Sequence, residues 1–309
     1  MFGLYAAVVL IWGSTWIAIQ YQLSVAPEVA VAYRFALATM MLMAWCLVRR
    51  LPMRFAIRDH VFMAVLGVCL FSLNYVLIYV ASVHLTSGLL AVVFSTIVIM
   101  NMINGVIFFR RRPETRTLIG AAIGLAGIAM VFANDLASFD LAAGGSIGLL
   151  VSLAGSYIAS LGNMASARNH ARGVPVMQAN AYGMLYGTIM LFAYIAIAGI
   201  PLSFDASLSF IAAWVYLALV GSVLGFGFYL TLLGKIGPDR AAYSSVMFPI
   251  VALLLSTVFE DFHWTSNIVW GVGLTWVGNV VILTKRVPKP AAEVLEQVAP
   301  APPAPGVKS

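Results

Sequence analysis

An arginine stands inside the apolar stretch "PEVAVAYRFALATMML" at residues 27–42, a setting that is typical of a membrane-spanning helix. At the centre of a bilayer such a charge costs about 2.5–3.5 kcal/mol on insertion scales, so Arg34 needs a compensating partner. One interpretation is a fixed positive charge at the mouth of a cavity that binds the carboxylate of a substrate. The other is a structural role, in which the side chain extends to the interface and pairs with Glu28 or a carbonyl group. Glu28 is six residues away, which disfavours a pair on one helix, and both interpretations stay open.

Amide, phenol and hydroxyl side chains recur at membrane depth along the chain. A single Ser or Thr hydroxyl can bond to the backbone of its own helix, but buried amides and phenols need further partners, which a water-filled cavity supplies. Aromatic side chains in such a cavity offer stacking faces and hydrogen-bonding edges to an organic solute. With Arg34, the residues predicted to bind substrate there are Trp12, Thr15, Asn74, Tyr75, Tyr79, Thr96, Asn101, Asn163, Tyr182, Ser244 and Ser245.

The positions of proline and glycine predict where a helix is kinked and where helices pack closely. Pro249 is the single proline inside a predicted span, and it removes the backbone hydrogen bond to Ser245, which predicts a kink near mid-membrane. A hinge and a packed, static kink are equally compatible with this position. The segments "GAAIG" at 120–124 and "GSVLG" at 221–225 place small residues four apart, which predicts close helix packing rather than chemistry.

The placement of ionisable residues argues against an enzyme. No Asp or Glu falls at the centre of a predicted span, and the four histidines lie at or beyond span ends: His60, His84, His170 and His263. Intramembrane hydrolases and metal transporters need such groups within reach of one another, and no P-loop pattern is present. We therefore predict no catalytic residue, no metal site and no cofactor. Without a mid-membrane carboxylate to relay protons, facilitated flux and coupling through Glu28 or His84 both stay open.

The composition is that of a membrane protein. The 309 residues are 62% hydrophobic and 9% charged, with a mean hydropathy of +0.99, whereas soluble domains carry about 25% charged residues. Long apolar blocks alternate with short polar connectors, which predicts a polytopic all-α fold. The ten predicted spans are 4–22, 29–48, 61–82, 88–109, 117–133, 146–167, 176–199, 209–233, 241–259 and 267–284.

The basic residues predict the orientation of these spans. With the N-terminus in the cytoplasm, 16 of the 17 Lys and Arg residues fall in cytoplasmic connectors or the C-terminal tail, and the remaining one is Arg34. The opposite connectors carry Asp and Glu instead. This split follows the positive-inside rule, so we predict that both termini are cytoplasmic.

The connector "NDLASFDLAAGGS" divides the chain into two sets of five spans. Because five is odd, the second set starts from the opposite side of the membrane, and two halves with a common fold are then inverted repeats. Aligning 85–132 with 236–283 without a gap matches hydropathy more than residue identity. We predict one five-helix repeat at 1–140, a second at 141–286, and a disordered cytoplasmic tail, rich in Pro and Ala, at 287–309.

Several segments resemble the EamA-type repeat of the drug/metabolite transporter superfamily. They are "IWGSTWIAIQ" near the start, "YRFAL" around Arg34, "LTSGLLAVVFSTIVIMN…LIGAAIGLAGIAMV" at the end of the first half, and "FPIVALLLSTVFEDFHWT…GVGLTWVGNVVIL" at the end of the second. The family's tryptophan motif falls on Trp12 and its span-2 arginine on Arg34. One departure is "FFRRRPET", which lacks the acidic residue usual after the fourth span, whereas Glu260 occupies the similar place after the ninth.

The resemblance implies a bacterial inner-membrane transporter with ten helices in two inverted repeats, cytoplasmic termini and alternating access. It implies export of amino acids or related small organic metabolites, and the aromatic residues of the predicted cavity favour the YddG-like branch of amino acid exporters. A nucleotide-sugar or sugar-phosphate carrier, a multidrug efflux protein and a passive channel are the alternatives. The expected partners are a small organic substrate and membrane lipid, with no nucleic acid, in a monomer or a homodimer.

Overall fold

The computed structural model describes residues 2–22, 24–82, 84–85, 87–110, 113–137, 145–259 and 264–283, and their regular secondary structure is helical throughout. The predicted tail at 287–309 lies outside the described residues. In chain order the helices are α1 (Phe2–Gln20), α2 (Pro27–Val48), α3 (Ile57–Val68), π1 (Cys69–Leu73), α4 (Asn74–Ser82), α5 (Ser87–Ser95), α6 (Ile97–Phe109), α7 (Thr115–Val131), α8 (Ala133–Ala137), α9 (Ser146–Ala171), α10 (Val176–Ile197), α11 (Leu208–Tyr216), π2 (Leu217–Leu224), α12 (Gly225–Ile236), α13 (Pro238–Ala242), α14 (Ser244–Phe259) and α15 (Ser266–Leu283).

Helices occupy each of the ten predicted spans. In the described residues, six helical stretches are long and apolar enough to cross a membrane: 27–48, 57–78, 92–109, 146–171, 176–197 and 208–236. Three further apolar helices are shorter: Phe2–Thr15, Thr115–Val131 and Ser266–Ile282. The prediction of an all-α polytopic membrane protein is confirmed, and the number of crossings stays a prediction.

The third span begins earlier than predicted. Ala56 is extended, with φ −66° and ψ 150°, and α3 starts at Ile57, so Asp59 and His60 lie in its first turn rather than in a connector. A carboxylate is favourable there because the helix dipole is positive at its N-terminus. The extra turn brings Asp59 into contact with α9 and His60 into contact with α10.

Two of the long stretches contain a π-helical segment. α3, π1 and α4 follow one another without a break, as do α11, π2 and α12. In each half, the next stretch is interrupted by a single turn residue, Thr96 between α5 and α6 and Tyr243 between α13 and α14. The two halves therefore carry the same irregularities in the same order. Segments of π-helix widen the helix locally and are frequent at functional sites.

Glycines set the close packing of α7 against α15. A Cβ atom added to Gly127 would lie 2.6 Å from the carbonyl oxygen of Gly271, and one added to Gly271 would lie 2.6 Å from that of Gly127. Real Cβ atoms do not approach backbone oxygen this closely, so both positions require glycine. The packing role predicted for "GAAIG" is borne out, because a Cβ atom on Gly120 would also lie 2.9 Å from the Gly278 oxygen.

Polar contacts join the two halves at both ends of the bundle. One end of the bundle, here called the basic end, carries the connectors at 49–56, 113–114 and 172–175. There Arg168 pairs with Asp59 and Arg240 with Glu114, each at 2.7 Å. At the opposite end, here called the acidic end, Ser24 Oγ donates to Asp205 Oδ2 at 2.8 Å.

Candidate functional site

Arg34 is buried in the middle of the bundle and contacts the second half of the chain. Its residue is 5% exposed, and its Nε–H donates to Ser222 Oγ of π2 at 2.8 Å. Ser222 Oγ in turn donates to the Leu217 carbonyl oxygen, five residues earlier, at 3.1 Å. The five-residue reach is the spacing of a π-helix, so the wide turn presents the hydroxyl that receives the guanidinium.

The positive charge of Arg34 lacks a carboxylate partner among the described residues. The two ion pairs there are Arg168–Asp59 and Arg240–Glu114, so the Glu28 pair of the structural interpretation does not form. The guanidinium carbon instead lies 5.6 Å from the centre of the Phe35 ring and 5.8 Å from that of Tyr75. Aromatic faces stabilise a cation, but they contribute less than an ion pair in a buried site.

Gly221 of π2 and Gly225, the first residue of α12, allow side chains from α1 and α2 to reach this stretch of backbone. Trp12 Nε1–H donates to the carbonyl oxygen of Gly221 at 2.9 Å. A Cβ atom on Gly221 would lie 3.0 Å from Arg34 Nη2, and one on Gly225 would lie 2.7 Å from Trp12 Nε1. The segment "GSVLG" therefore contacts Arg34 and Trp12, which corrects the prediction that it serves helix packing alone.

Aromatic rings form a wall beside Arg34 and Trp12. The Trp12 ring lies 4.8 Å from Phe226, 5.1 Å from Tyr229 and 5.2 Å from Phe248, measured between ring centres. On the other side, Phe35 contacts Tyr75 at 5.3 Å. These buried and half-buried rings therefore pack around a single cation.

A second group of polar residues lies between α6, α9 and α13. Asn101 Nδ2 donates to the Pro238 carbonyl oxygen at 2.9 Å, and Asn163 Nδ2 lies 3.5 Å from Asn101 Oδ1. Asn104 Nδ2 donates to Ser160 Oγ at 2.8 Å. These residues, here called the amide cluster, are at most 1% exposed, and the Oδ1 atoms of Asn104 and Asn163 accept no hydrogen bond within the described residues.

Known proteins resemble the chain along nearly its whole length. The profile of the EamA-like transporter family matches residues 2–133 and again residues 146–284. The chain belongs to the EamA-like transporter family. It is therefore a membrane transporter of the drug/metabolite superfamily, as the sequence motifs predicted, and the EamA unit occurs in it twice.

Individual relatives agree with the family assignment. This EamA transporter is 31% identical to the inner membrane transporter YedA of Escherichia coli K12, over 95% of its own length and 96% of that protein. It is 24% identical to a "Probable amino-acid metabolite efflux pump" of Escherichia coli K12, over 64% of its length and 65% of the pump. A solved structure, titled "Crystal structure of protein", matches it with a TM-score of 0.76 at 18% identity, covering 91% of this chain and 95% of that one.

The transporter brings together only some of the predicted binding residues. Trp12, Thr15, Arg34 and Tyr75 meet beside π2, whereas Asn101 and Asn163 belong to the amide cluster. Four predicted hydroxyls donate to the backbone carbonyl oxygen three residues earlier, as individual Ser and Thr residues commonly do: Thr15 to Trp12, Thr96 to Val93, Ser244 to Ala241 and Ser245 to Ala242.

The remaining predicted residues are placed as follows. Asn74 begins α4 directly after π1, buried, and its Oδ1 accepts no hydrogen bond from the described residues. Tyr182 lies at the basic end, where its hydroxyl donates to the Met53 carbonyl oxygen at 2.8 Å. Pro249 lies inside α14. The side chain of Tyr79 lies outside the described residues.

Sequence reasoning missed the residues that complete the central site. Gly221 and Ser222 were not predicted to belong to the site, because the widened turn of π2 does not follow the 3.6-residue periodicity of an α-helix. Phe226 and Tyr229 were not predicted either, because aromatic residues are common in apolar spans. The one sequence feature that points to this region is the four-residue spacing of Gly221 and Gly225, which was interpreted as a helix-packing motif.

Proposed function

We propose that this transporter exports small organic molecules that carry a carboxylate, amino acids or related metabolites, by alternating access. The substrate binds between Arg34 and the aromatic wall around Trp12. Ten spans in two inverted five-helix repeats provide the two conformations, and the basic end faces the cytoplasm.

The observation that carries this proposal is the uncompensated charge of Arg34. A buried cation without an anion is costly, because among the described residues its lost hydration is replaced by the Ser222 hydroxyl and two ring faces alone. A substrate carboxylate supplies the missing anion. Ser222 engages Nε and holds the planar guanidinium in one orientation. In the proposed bound state, its two terminal nitrogens bind the carboxylate in bidentate geometry.

The internal symmetry supports alternating access. The family profile matches twice, and a π-helical segment followed by an interrupted stretch occurs once in each half. Inverted repeats give a transporter two conformations of similar energy, each open to one side. Contacts between the halves are present at both ends of the bundle, for example at Glu114–Arg240 and Ser24–Asp205, and these are among the contacts that have to break in turn.

The orientation of the protein in the membrane and the direction of transport rest on separate arguments. The basic end carries the arginine-rich connectors, which the positive-inside rule assigns to the cytoplasm. Export is supported by the relative named as an amino-acid metabolite efflux pump. Amino acids also fit the central site better than sugar phosphates do, because a phosphate group requires more cationic partners than Arg34 alone.

Transport into and out of proteoliposomes tests the proposal. Labelled amino acids, sugar phosphates and organic cations are compared, with and without a pH gradient. We expect saturable flux of one or more amino acids, a strong loss of flux in Arg34→Lys, and normal flux in Arg172→Ala, which removes an exposed arginine at the basic end. Saturable flux of sugar phosphates alone, or non-saturating flux of all solutes, would contradict it.

A further inference from the structure

A cavity of about 440 Å³ opens at the basic end, away from Arg34. It lies between α6, α12 and α13, with Asn101 and Gly105 on its α6 side and the connector before α7 on the opposite side. A Cβ atom added to Gly105 would meet no atom within 4 Å, so this glycine borders open space. The volume falls within the range of about 300–1,000 Å³ that is typical of small-molecule sites.

Among the lining residues that the structure describes, the charges cancel. Glu114 and Asp239 contribute two carboxylates, and Lys235 and Arg240 contribute two cations, so the formal charge of this described lining is zero. A phosphate would be repelled by the carboxylates and an organic cation by the basic side chains. A small molecule that carries one charge of each sign is complementary to such a wall.

The ion pair between Glu114 and Arg240 sits in this wall. Glu114 Oε2 lies 2.7 Å from Arg240 Nη2, and the arginine side chain is 11% exposed whereas the glutamate is 38% exposed. If the pair simply opened, it would leave a buried arginine without an anion, which is costly. A zwitterion avoids that cost, because its carboxylate takes the place of Glu114 at the guanidinium while its ammonium group binds Glu114.

Contacts connect this cavity with the central site. Asn101 lines the cavity and holds α13 through the Pro238 carbonyl group. Behind it, Asn163 lies against Asn101 and interacts with the Tyr229 hydroxyl. The Tyr229 ring contacts Trp12, whose indole binds the π2 backbone beside Arg34.

We propose that the basic-end cavity is a binding site for small zwitterions that carry a carboxylate and an ammonium group, with Arg240 and Glu114 as its ligands. The bound molecule then passes along the amide cluster to Arg34. This inference rests on the proposed function in one respect, since the zwitterion is taken to be the amino acid that is transported.

Binding of labelled phenylalanine to the purified full-length chain tests the site. The measurement uses the Arg34→Gln variant, so that the central site does not contribute. We expect Arg34→Gln to retain phenylalanine binding while it loses transport. It should bind phenylalanine more tightly than phenylalaninamide, which lacks the carboxylate, or phenylpropionate, which lacks the ammonium group.

Second substitutions in the Arg34→Gln background locate the binding. Glu114→Gln should weaken phenylalanine binding by at least about tenfold, because one charge partner is lost. Asp59→Asn is the matched control, since it removes the carboxylate of the other basic-end ion pair, which lies outside the cavity lining. Gly105→Met should fill the cavity and abolish binding, whereas Gly273→Met, at another glycine with open space around it, should leave binding unchanged.

A labelling measurement covers the case in which Arg34→Gln does not fold. Gly105→Cys, made in the chain with Arg34 intact, should react with a water-soluble maleimide, and phenylalanine should slow that reaction. The inference would be overturned if neither Gly105→Met nor Glu114→Gln changed the affinity for phenylalanine. It would also be overturned if phenylalanine did not slow the labelling of Gly105→Cys. Transport by the wild-type chain would still support the proposed function in that event, so the two can fail separately.

Discussion

The Nε atom of Arg34 lies 2.8 Å from Ser222 Oγ, and this single hydrogen bond joins α2 of the first half to π2 of the second. It holds the guanidinium of Arg34, the one charged group in the middle of the described bundle, against a π-helical segment. The guanidinium is thereby oriented before any ligand binds, which lowers the entropy that binding has to overcome.

Ser222→Ala tests this orientation. The substitution leaves the buried Arg34 Nε without its acceptor, so we expect a loss of about 1–3 kcal/mol in the free energy of unfolding and a higher KM for the carboxylate substrate. Thermal unfolding in detergent and transport in proteoliposomes measure the two effects. Ser203→Ala, at an exposed serine of the connector before α11, is the control. An unchanged KM in Ser222→Ala would mean that the hydroxyl does not position the guanidinium.

Trp12→Phe separates the ring from the indole N–H. The substitution keeps a flat apolar side chain against Phe226 and Tyr229 but removes the hydrogen bond to the Gly221 carbonyl group. We expect a loss of about 1 kcal/mol in stability, with altered preference among substrates of different size. Kinetic comparison of aromatic and aliphatic amino acids measures the preference. Uniform loss for every substrate, in proportion to folded protein, would argue that Trp12 only packs.

Gly271→Ala tests the packing of α7 against α15. The new Cβ atom would lie 2.6 Å from the Gly127 carbonyl oxygen. Because the helix backbone has to move to relieve this clash, we expect a loss of about 1–3 kcal/mol in the free energy of unfolding. Gly273→Ala is the control on the same helix, because no atom lies within 4 Å of its added Cβ. Equal melting temperatures for the two variants would contradict the described contact.

The connector at the acidic end should depend on pH through Asp205. Hydrogen bonds from the Ser207 backbone N–H and the Ser24 hydroxyl hold the pKa of the exposed Asp205 carboxyl below its ordinary value. A lowered pKa contributes stability above the unfolded pKa of about 3.9 and loses it as the pH falls through the folded pKa. Asp205→Asn should therefore be less stable than wild type at neutral pH. The difference should disappear in strong acid, which melting curves across the pH range can measure.

The large features of the fold could be predicted from the sequence because they follow from hydropathy alone. Apolar runs of about twenty residues identify helices of membrane length, and the isolated charge of Arg34 in such a run indicates a residue that needs a partner, without telling a structural from a binding role. The start of α3 was missed by four residues because Arg58, Asp59 and His60 are polar, although the dipole of the helix accommodates Asp59 in its first turn.

The details of the site needed the three-dimensional structure. The partner of Arg34 is 188 residues away in the chain, on a π-helical segment that hydropathy does not reveal. Ser244 and Ser245 were predicted to bind substrate from their depth alone, but depth does not tell whether a hydroxyl bonds to nearby backbone, as both do at the end of α13. The pairing of Glu114 with Arg240 likewise depends on how the halves pack.

The central claim is that Arg34 binds the carboxylate of the substrate. The most direct measurement compares the binding of an amino acid and of its amide, which lacks the negative charge, to the wild-type chain and to Arg34→Gln. Gly105→Met is included in both proteins because it fills the basic-end cavity, which then does not contribute to binding. We predict that amidation weakens binding at least about tenfold when Arg34 is present and has little effect when it is replaced. An equal penalty for amidation in both proteins would contradict the claim.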